Sequence, residues 1–396
     1  VTELTKPITI EMWHYMNGGQ AEVLNEIIED FNATNDKGIT VNAISQGSIV
    51  DLNKKVISAA QSNSLPAIIN VYPDVATGLI EDKKLVNLSS FINDKNVGMA
   101  DEMDDFVDAF IQETSQWNNG EVYGLPMTKS TEVLYVNKNM LESLGYTLED
   151  LEDLTFEKLA EISNKAVTEL GVAGFGFDSS SNAFISSLKM DGLDFVDSKG
   201  TINVDNEWVR EYMTFFQKQA ESGAFRIAGE DKFLSNPFVN QKMLCYQGSS
   251  AGYAYLNNDG AFEIAVVEVP VFEGKDKAVM QQGASLFVTN NVSAEAQYAA
   301  YEFVKFATNA ENTAKFATAT GYLPVRKSAV ETEIVKNILN DETSLYSQVY
   351  NVAQKSLPYA YYTPAINNAQ SARTVAQEKY EAFMSGSIKD VEVLVD

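Results

Sequence analysis

Strand and helix patterns alternate along the opening stretch, and that alternation constrains the fold more than any other feature of the chain. Residues 6–13 read as a buried strand, 20–32 carry Val23, Leu24, Ile27, Ile28 and Phe31 at helical spacing, and 39–44 alternate as a second strand. The unit repeats, with a helical pattern over 52–60 and a short apolar run at 67–71 that ends before Pro73. Strands that alternate with helices need crossover connections, which set the strands parallel and cover the sheet with helices on both faces. Ligands of such sheets sit beyond the carboxyl ends of the strands, so Trp13, His14, Tyr72 and Asp74 are candidate site residues.

The pattern then breaks at Asn118, Asn119 and Gly120, and extended segments follow at 122–126 and 133–136. A helix is expected over 155–169 with Thr155 as its N-cap. A Gly and Phe alternation at 171–177 leads into a Ser-rich loop after Asp178, and a turn at 197–200 precedes a short strand at 201–204. Amphipathic helices are expected over 206–221 and 294–308, and a final helix over 372–384. Between them, a strand at 261–267 leads through Pro270 and Gly274 to the 283–288 segment, and Gly321 to Pro324 interrupts the pattern again. At 396 residues the chain exceeds what one core usually supports. The expected architecture is α/β in two lobes, each a mainly parallel sheet flanked by helices, hinged by three crossovers near Pro126, Val279 and Leu323. Lobe 1 would comprise 1–126 and 280–323, and lobe 2 would comprise 127–279 and 324–396.

A hydrophobic content of 45% is that of an ordinary globular protein, and no run of about 18 apolar residues offers a membrane span. A formal charge of −26 repels nucleic acid and anionic lipid, and no basic tract offsets it, so nucleic acid is not an expected partner. An anionic solute would need a locally placed cation and donors. Cys245, the single cysteine, can form no internal disulfide and reads as a small buried hydrophobe beside Met243, Leu244 and Tyr246. With one histidine, His14, no histidine-rich or cysteine-rich metal site is available. Gly171, Gly174 and Gly176 miss the dinucleotide spacing and no phosphate-loop motif is present, so no cofactor is expected. Abundant Asp and Glu leave a carboxylate-pair hydrolase open, although abundance is no evidence for one. The chain starts at Val1 without a signal-peptide pattern, as expected where a targeting segment has been removed.

Four segments rich in glycine, small hydroxyl residues and tyrosine stand out: 129–131 (KST), 247–253 (QGSSAGY), 281–285 (QQGAS) and 320–324 (TGYLP). Freed backbone amides, hydroxyls and aromatic faces suit a polyol or a phosphate, and these segments fall at the expected crossovers.

Over nearly its whole length the chain resembles the family 1 extracellular solute-binding proteins of bacterial ABC importers. The resemblance is carried by 8–14 (ITIEMWH), 65–72 (LPAIINVY), 123–126 (YGLP), 133–138 (VLYVNK), 283–288 (GASLFV) and 321–327 (GYLPVRK). Within that family it is most similar to the glycerol-3-phosphate and glycerophosphodiester binders, through 13–16 (WHYM), 130–135 (STEVLY), 283–288 and Arg373. The resemblance implies a periplasmic-binding-protein-like fold that captures a small-molecule solute by lobe closure and catalyses nothing. It further implies a monomer that docks on ABC permease transmembrane subunits outside the cytoplasm, either periplasmic or as a cell-surface lipoprotein. Ser130 and Ser249 or Ser250 would donate to phosphate or hydroxyls, Gly283 would give a backbone amide, Tyr322 would close over the ligand, and Arg373 would pair with phosphate. The chain departs from that subgroup at Ile49, where an aromatic residue is usual, at Pro73 and Asp74, where a Glu is usual, and in lacking tryptophan over 179–184. The alternatives are an oligosaccharide or sugar binder on the same scaffold, a secreted hydrolase using cleft carboxylates, and a surface adhesin or sensor.

Overall fold

The computed structural model describes residues 1–197, 199–363 and 369–395; Ser198, within the turn expected at 197–200, lies outside the described residues. The strands in chain order are β1 (Ile8–His14), β2 (Ile39–Ser45), β3 (Ile68–Val71), β4 (Gly124–Ser130), β5 (Glu132–Asn137), β6 (Ala173–Phe177), β7 (Phe225–Ile227), β8 (Met243–Ser249), β9 (Ile264–Val267), β10 (Val279–Met280), β11 (Gln282–Val288) and β12 (Ala360–Tyr361).

Contacts divide the chain into two units, the first made of Val1–Lys129 and Gln282–Asn340, the second of Ser130–Gln281 and, among the described residues, everything after Asn340. The third passage therefore falls after Asn340 rather than near Leu323. The Gly321 interruption is a helix end instead: Gly321 takes the left-handed conformation, φ +92°, that terminates the helix Ala310–Thr320. The chain beyond it stays with the first unit. Val325 N–H donates to Thr313 Oγ1 at 2.9 Å, Arg326 Nε donates to Thr308 O at 2.8 Å, and Ala329 and Val335 pack with Ala314 in one apolar cluster.

The first unit is built on a sheet of order β2-β1-β3-β11-β4, in which β1 runs parallel to β2 and β3 while β11 runs antiparallel to β3. The second has the order β7-β6-β8-β5-β9, with β6 parallel to β7 and β8, and β5 antiparallel to β8 and β9. Both sheets are thus mixed rather than mainly parallel. The strands that reverse direction, β11 and β5, are those the chain enters directly after passing from one unit to the other. Such a strand is not tied to its neighbour by a helical crossover within one sheet, the connection that enforces parallel pairing.

Local signals act as their chemistry dictates. Thr155 caps the helix Phe156–Leu170 by accepting from Lys158 N–H at 3.1 Å, and left-handed Gly171 ends it. Asn206 caps Glu207–Glu221 in the same way, accepting from Val209 N–H at 2.9 Å. The short strand expected at 201–204 reduces to one bridge between Val196 and Ile202. The last long helix starts at Ala369, ahead of Ala372. Aromatic rings fill the core of the second unit, with Phe156 and Phe272 at 4.4 Å between centroids and Tyr212 and Phe216 at 4.6 Å. Burying a Phe side chain contributes about 1.5–3 kcal/mol, so these rings account for much of the unit's cohesion. Among the described residues no helix is long and apolar enough to cross a membrane.

Candidate functional site

Each unit carries candidate residues at its strand ends. In the first, Trp13 donates through Nε1 to Glu11 Oε1 at 3.4 Å and lies under Lys55, whose Nζ is 5.0 Å from the ring centroid. His14 is buried, and its Nδ1 accepts the N–H of Met16 at 3.0 Å, which leaves the ring proton on Nε2. Burial lowers its pKa to about 4, so the imidazole is neutral at pH 7 and holds the turn that follows β1.

Tyr15, which the sequence reading passed over, joins two expected residues instead. Its hydroxyl donates to Thr128 Oγ1 at 2.9 Å, its ring meets that of Tyr72 edge-on at 6.5 Å, and it is hydrogen-bonded to Tyr322. Burial, with the two neighbouring tyrosines, holds its pKa well above the usual value. Tyr72 precedes the helix Pro73–Glu81 and Asp74 sits in that helix's first turn, where a negative charge is favourable. Tyr322 stacks on Phe316 at 5.9 Å with the rings 7° from parallel. A cluster of three tyrosines thus gathers from the ends of β1 and β3 and from the segment after Ala310–Thr320.

Three of the four segments run into strand, the 247–253 segment through the end of β8. The 129–131 segment takes in the last two residues of β4, where fully buried Lys129 forms an ion pair with Glu113 and lies 5.8 Å from the centroid of Phe110. The 281–285 segment runs into β11. Gly283 there has φ +126°, and a Cβ on it would lie 1.8 Å from Thr128 O, so close backbone approach explains the glycine.

In the second unit the serines are partly committed to the backbone. Ser250 ties the end of β8 to the start of β5: its N–H donates to Thr131 O at 2.8 Å and its Oγ accepts Thr131 N–H at 3.1 Å. Ser249 is half-buried and its Oγ accepts Ala251 N–H at 3.1 Å. Ser130 is buried at the end of β4. Arg373 is half-buried on Ala369–Met384 and within electrostatic reach of Tyr361, whose hydroxyl pairs with Ser186 Oγ at 2.9 Å.

Two carboxyl groups that the sequence reading did not single out lie at the same strand ends. Glu132 accepts from Gln247 Nε2 at 3.3 Å and from Asn182, and burial pushes its pKa up to about 7. Asp178, directly after β6, accepts Leu234 N–H at 2.7 Å and is raised by burial to about 6. The sequence carried one signal for Glu132: it directly precedes the apolar run 133–136, and a charge at the head of a buried strand is buried with it.

These groups give opposing pH dependences. Glu132 and Asp178 have raised folded pKa values, so their contribution is present below pH 4 and is lost as pH rises through about 6 to 7. His14 has a lowered one, so its contribution is present above 6.5 and is lost as pH falls through about 4. Between pH 7 and pH 4.5 the stability of the protein relative to His14→Asn should fall by about 2–3 kcal/mol. Urea unfolding of both proteins at each pH measures this; a constant difference would mean that His14 titrates normally.

A family model described as bacterial extracellular solute-binding protein matches residues 26–341. Among curated relatives, the sn-glycerol-3-phosphate-binding periplasmic protein UgpB of Rhizobium meliloti is 23% identical over 403 residues, spanning 98% of this chain and 91% of its own. Its Escherichia coli K12 counterpart is 24% identical over 337 residues, spanning 82% of this chain and 75% of its own. Of solved structures, the cyclic alpha-maltosyl-1,6-maltose binding protein of Arthrobacter globiformis superposes with a TM-score of 0.82 at 18% identity, covering 99% of this chain and 97% of that one. UgpB of Mycobacterium tuberculosis, in complex with glycerophosphocholine, gives 0.79 at 20% identity and 99% of each chain. At these identities the structural likeness shows the fold.

Proposed function

Because the chain belongs to the bacterial extracellular solute-binding proteins, we propose that it is the capture component of an ABC importer for a small phosphorylated polyol, such as glycerol-3-phosphate or a glycerophosphodiester. It works outside the cytoplasm as a monomer, delivers its solute to membrane permease subunits, and catalyses no reaction. The observation that carries the ligand class is the near full-length similarity to sn-glycerol-3-phosphate-binding proteins, supported by Arg373 beside Tyr361. A guanidinium suits phosphate because its fork of donors matches two phosphate oxygens at once, and it brings the positive charge that an anion needs in a protein of charge −26. Ser130, Ser249, Ser250, the amide of Gly283, and Trp13, His14, Tyr72, Asp74 and Tyr322 are the polar and aromatic contacts of this reading.

Arg373→Ala is expected to weaken binding of glycerol-3-phosphate by roughly 10- to 100-fold, the worth of a hydrogen-bonded charge pair. Isothermal titration of the two proteins measures it, and unchanged affinity would remove the phosphate reading while leaving solute transport intact. The likeness to the Arthrobacter cyclic maltosyl-maltose binder favours a second reading, a neutral oligosaccharide. A thermal-shift screen of phosphorylated polyols against maltose-type sugars separates the two, since a ligand that binds only the native state raises its melting temperature.

A further inference from the structure

The second unit holds an excess of buried hydrogen-bond acceptors where its parallel strands end. Glu132 opens β5 opposite Ser249, the last residue of β8, and Gln247 lies two residues earlier in β8, on the same face. The parallel pair β6 and β8 ends here, and Asp178 N–H, just past β6, donates to Gln247 O at 2.9 Å. In open α/β sheets this is the edge that takes ligands.

Glu132 and Gln247 are each 4% exposed. An ionised carboxylate accepts about four hydrogen bonds and donates none. Glu132 receives one from Gln247 Nε2 and one from Asn182. Gln247 Oε1 is itself buried with no hydrogen-bond partner among the described residues. Two adjacent groups therefore have room for donors that the protein does not supply, and leaving them unmet is costly in a buried place. Burial raises the carboxyl of Glu132 to about 7, with nearby Asp178 a lesser cause, so about half of these groups are ionised at pH 7 and it is the ionised form that is short of donors.

We propose that Glu132 and Gln247 receive the free hydroxyl groups of the ligand and so set the preference for a polyol over a plain phosphate ester. Hydroxyl groups bring O–H donors to both acceptors. An ionised phosphate brings only acceptors and negative charge, and is repelled from Glu132 toward Arg373; Tyr361 lies within electrostatic reach of both side chains. The phosphate part of this assignment rests on the proposed function, whereas the hydroxyl part also holds for a neutral sugar.

The test is isothermal titration of the intact protein, Glu132→Gln and Gln247→Met with sn-glycerol 3-phosphate, its hydroxyl-free analogue propyl phosphate, and maltose. The expected result is that the wild-type chain prefers glycerol 3-phosphate over propyl phosphate by about 10- to 100-fold. Each variant should cut that preference to within a few-fold while leaving propyl phosphate affinity in place. A structural role for Glu132 would change the melting temperature without changing the preference. Preference unaltered in both folded variants would overturn the assignment and leave the proposed function standing. Binding of maltose alone, lost in both variants, would overturn the phosphate reading and uphold Glu132 and Gln247 as hydroxyl acceptors. Maltose binding that both variants retain would overturn both.

Discussion

Glu113→Ala is expected to lower the unfolding free energy by about 3–5 kcal/mol, because it leaves the Lys129 ammonium buried without its counter-charge. The lysine side chain is 0% exposed and that of Glu113 is 7% exposed, so neither can turn to water without opening β4. The face of Phe110, 5.8 Å from Nζ, offers a cation only about 1–2 kcal/mol even when desolvated, far short of the loss. Removing both charges together is a different matter. Glu113→Ala combined with Lys129→Met should recover most of the loss, since a buried pair is often no more stable than apolar residues of like volume. Denaturant unfolding of the single and double variants checks both statements, and a single-variant loss below about 1 kcal/mol would mean that Lys129 is hydrated.

Gly283→Ala should be nearly as damaging. The added methyl would sit 1.8 Å from Thr128 O and 3.0 Å from Lys129 Cα, both backbone atoms that no side-chain rotation can clear. The position also has φ +126°, which costs a residue with a Cβ about 1–3 kcal/mol by itself. Relief requires β4 and β11 to separate, and Thr128 Oγ1, which accepts from both Ala284 N–H and the Tyr15 hydroxyl, would move with them. A loss of about 3 kcal/mol or more is therefore expected, with displacement of the tyrosine cluster visible in the near-ultraviolet circular dichroism. Gly19→Ala is the control, since nothing lies within 4 Å of its added methyl. A Gly283→Ala protein as stable as that control would refute the close approach.

Local elements were legible in the sequence where one local cause decides them. Thr155 and Asn206 cap the helices that their spacing announced, and β1, β2 and β3 follow their apolar runs. Sheet direction was not legible, because β5 and β11 take theirs from partners far away in sequence, and no pattern within Glu132–Asn137 encodes a neighbour at Met243–Ser249. Gly321 misled for a related reason: a glycine after a helix marks a C-cap or a passage between units with the same residue, and only the packing of Ala329 and Val335 on Ala314 decides. At the site, the carboxyl end of a strand pointed to Tyr72 and the family resemblance to Tyr322, but alternation along β1 could not say that Tyr15, rather than His14, joins them. Glu132 was largely hidden by company, one acidic residue among the 55 of an acidic chain, marked in the sequence only by its place at the head of the apolar run 133–136.

The placing of β11 also governs the order in which the chain can mature. In the first unit's sheet β11 lies between β3 and β4, yet it is separated from both by the whole of Ser130–Gln281. Until residue 288 has left the ribosome, β3 has no neighbour on that side and β4 has no sheet to join. The amino-terminal third thus cannot complete its sheet as it is synthesised, while the second unit already holds all five strands of its own sheet by Val267. Closing so distant a pairing is slow. The nascent amino-terminal segment consequently stays unfinished through most of synthesis, a state that a translocation channel can thread and that a chaperone has time to hold.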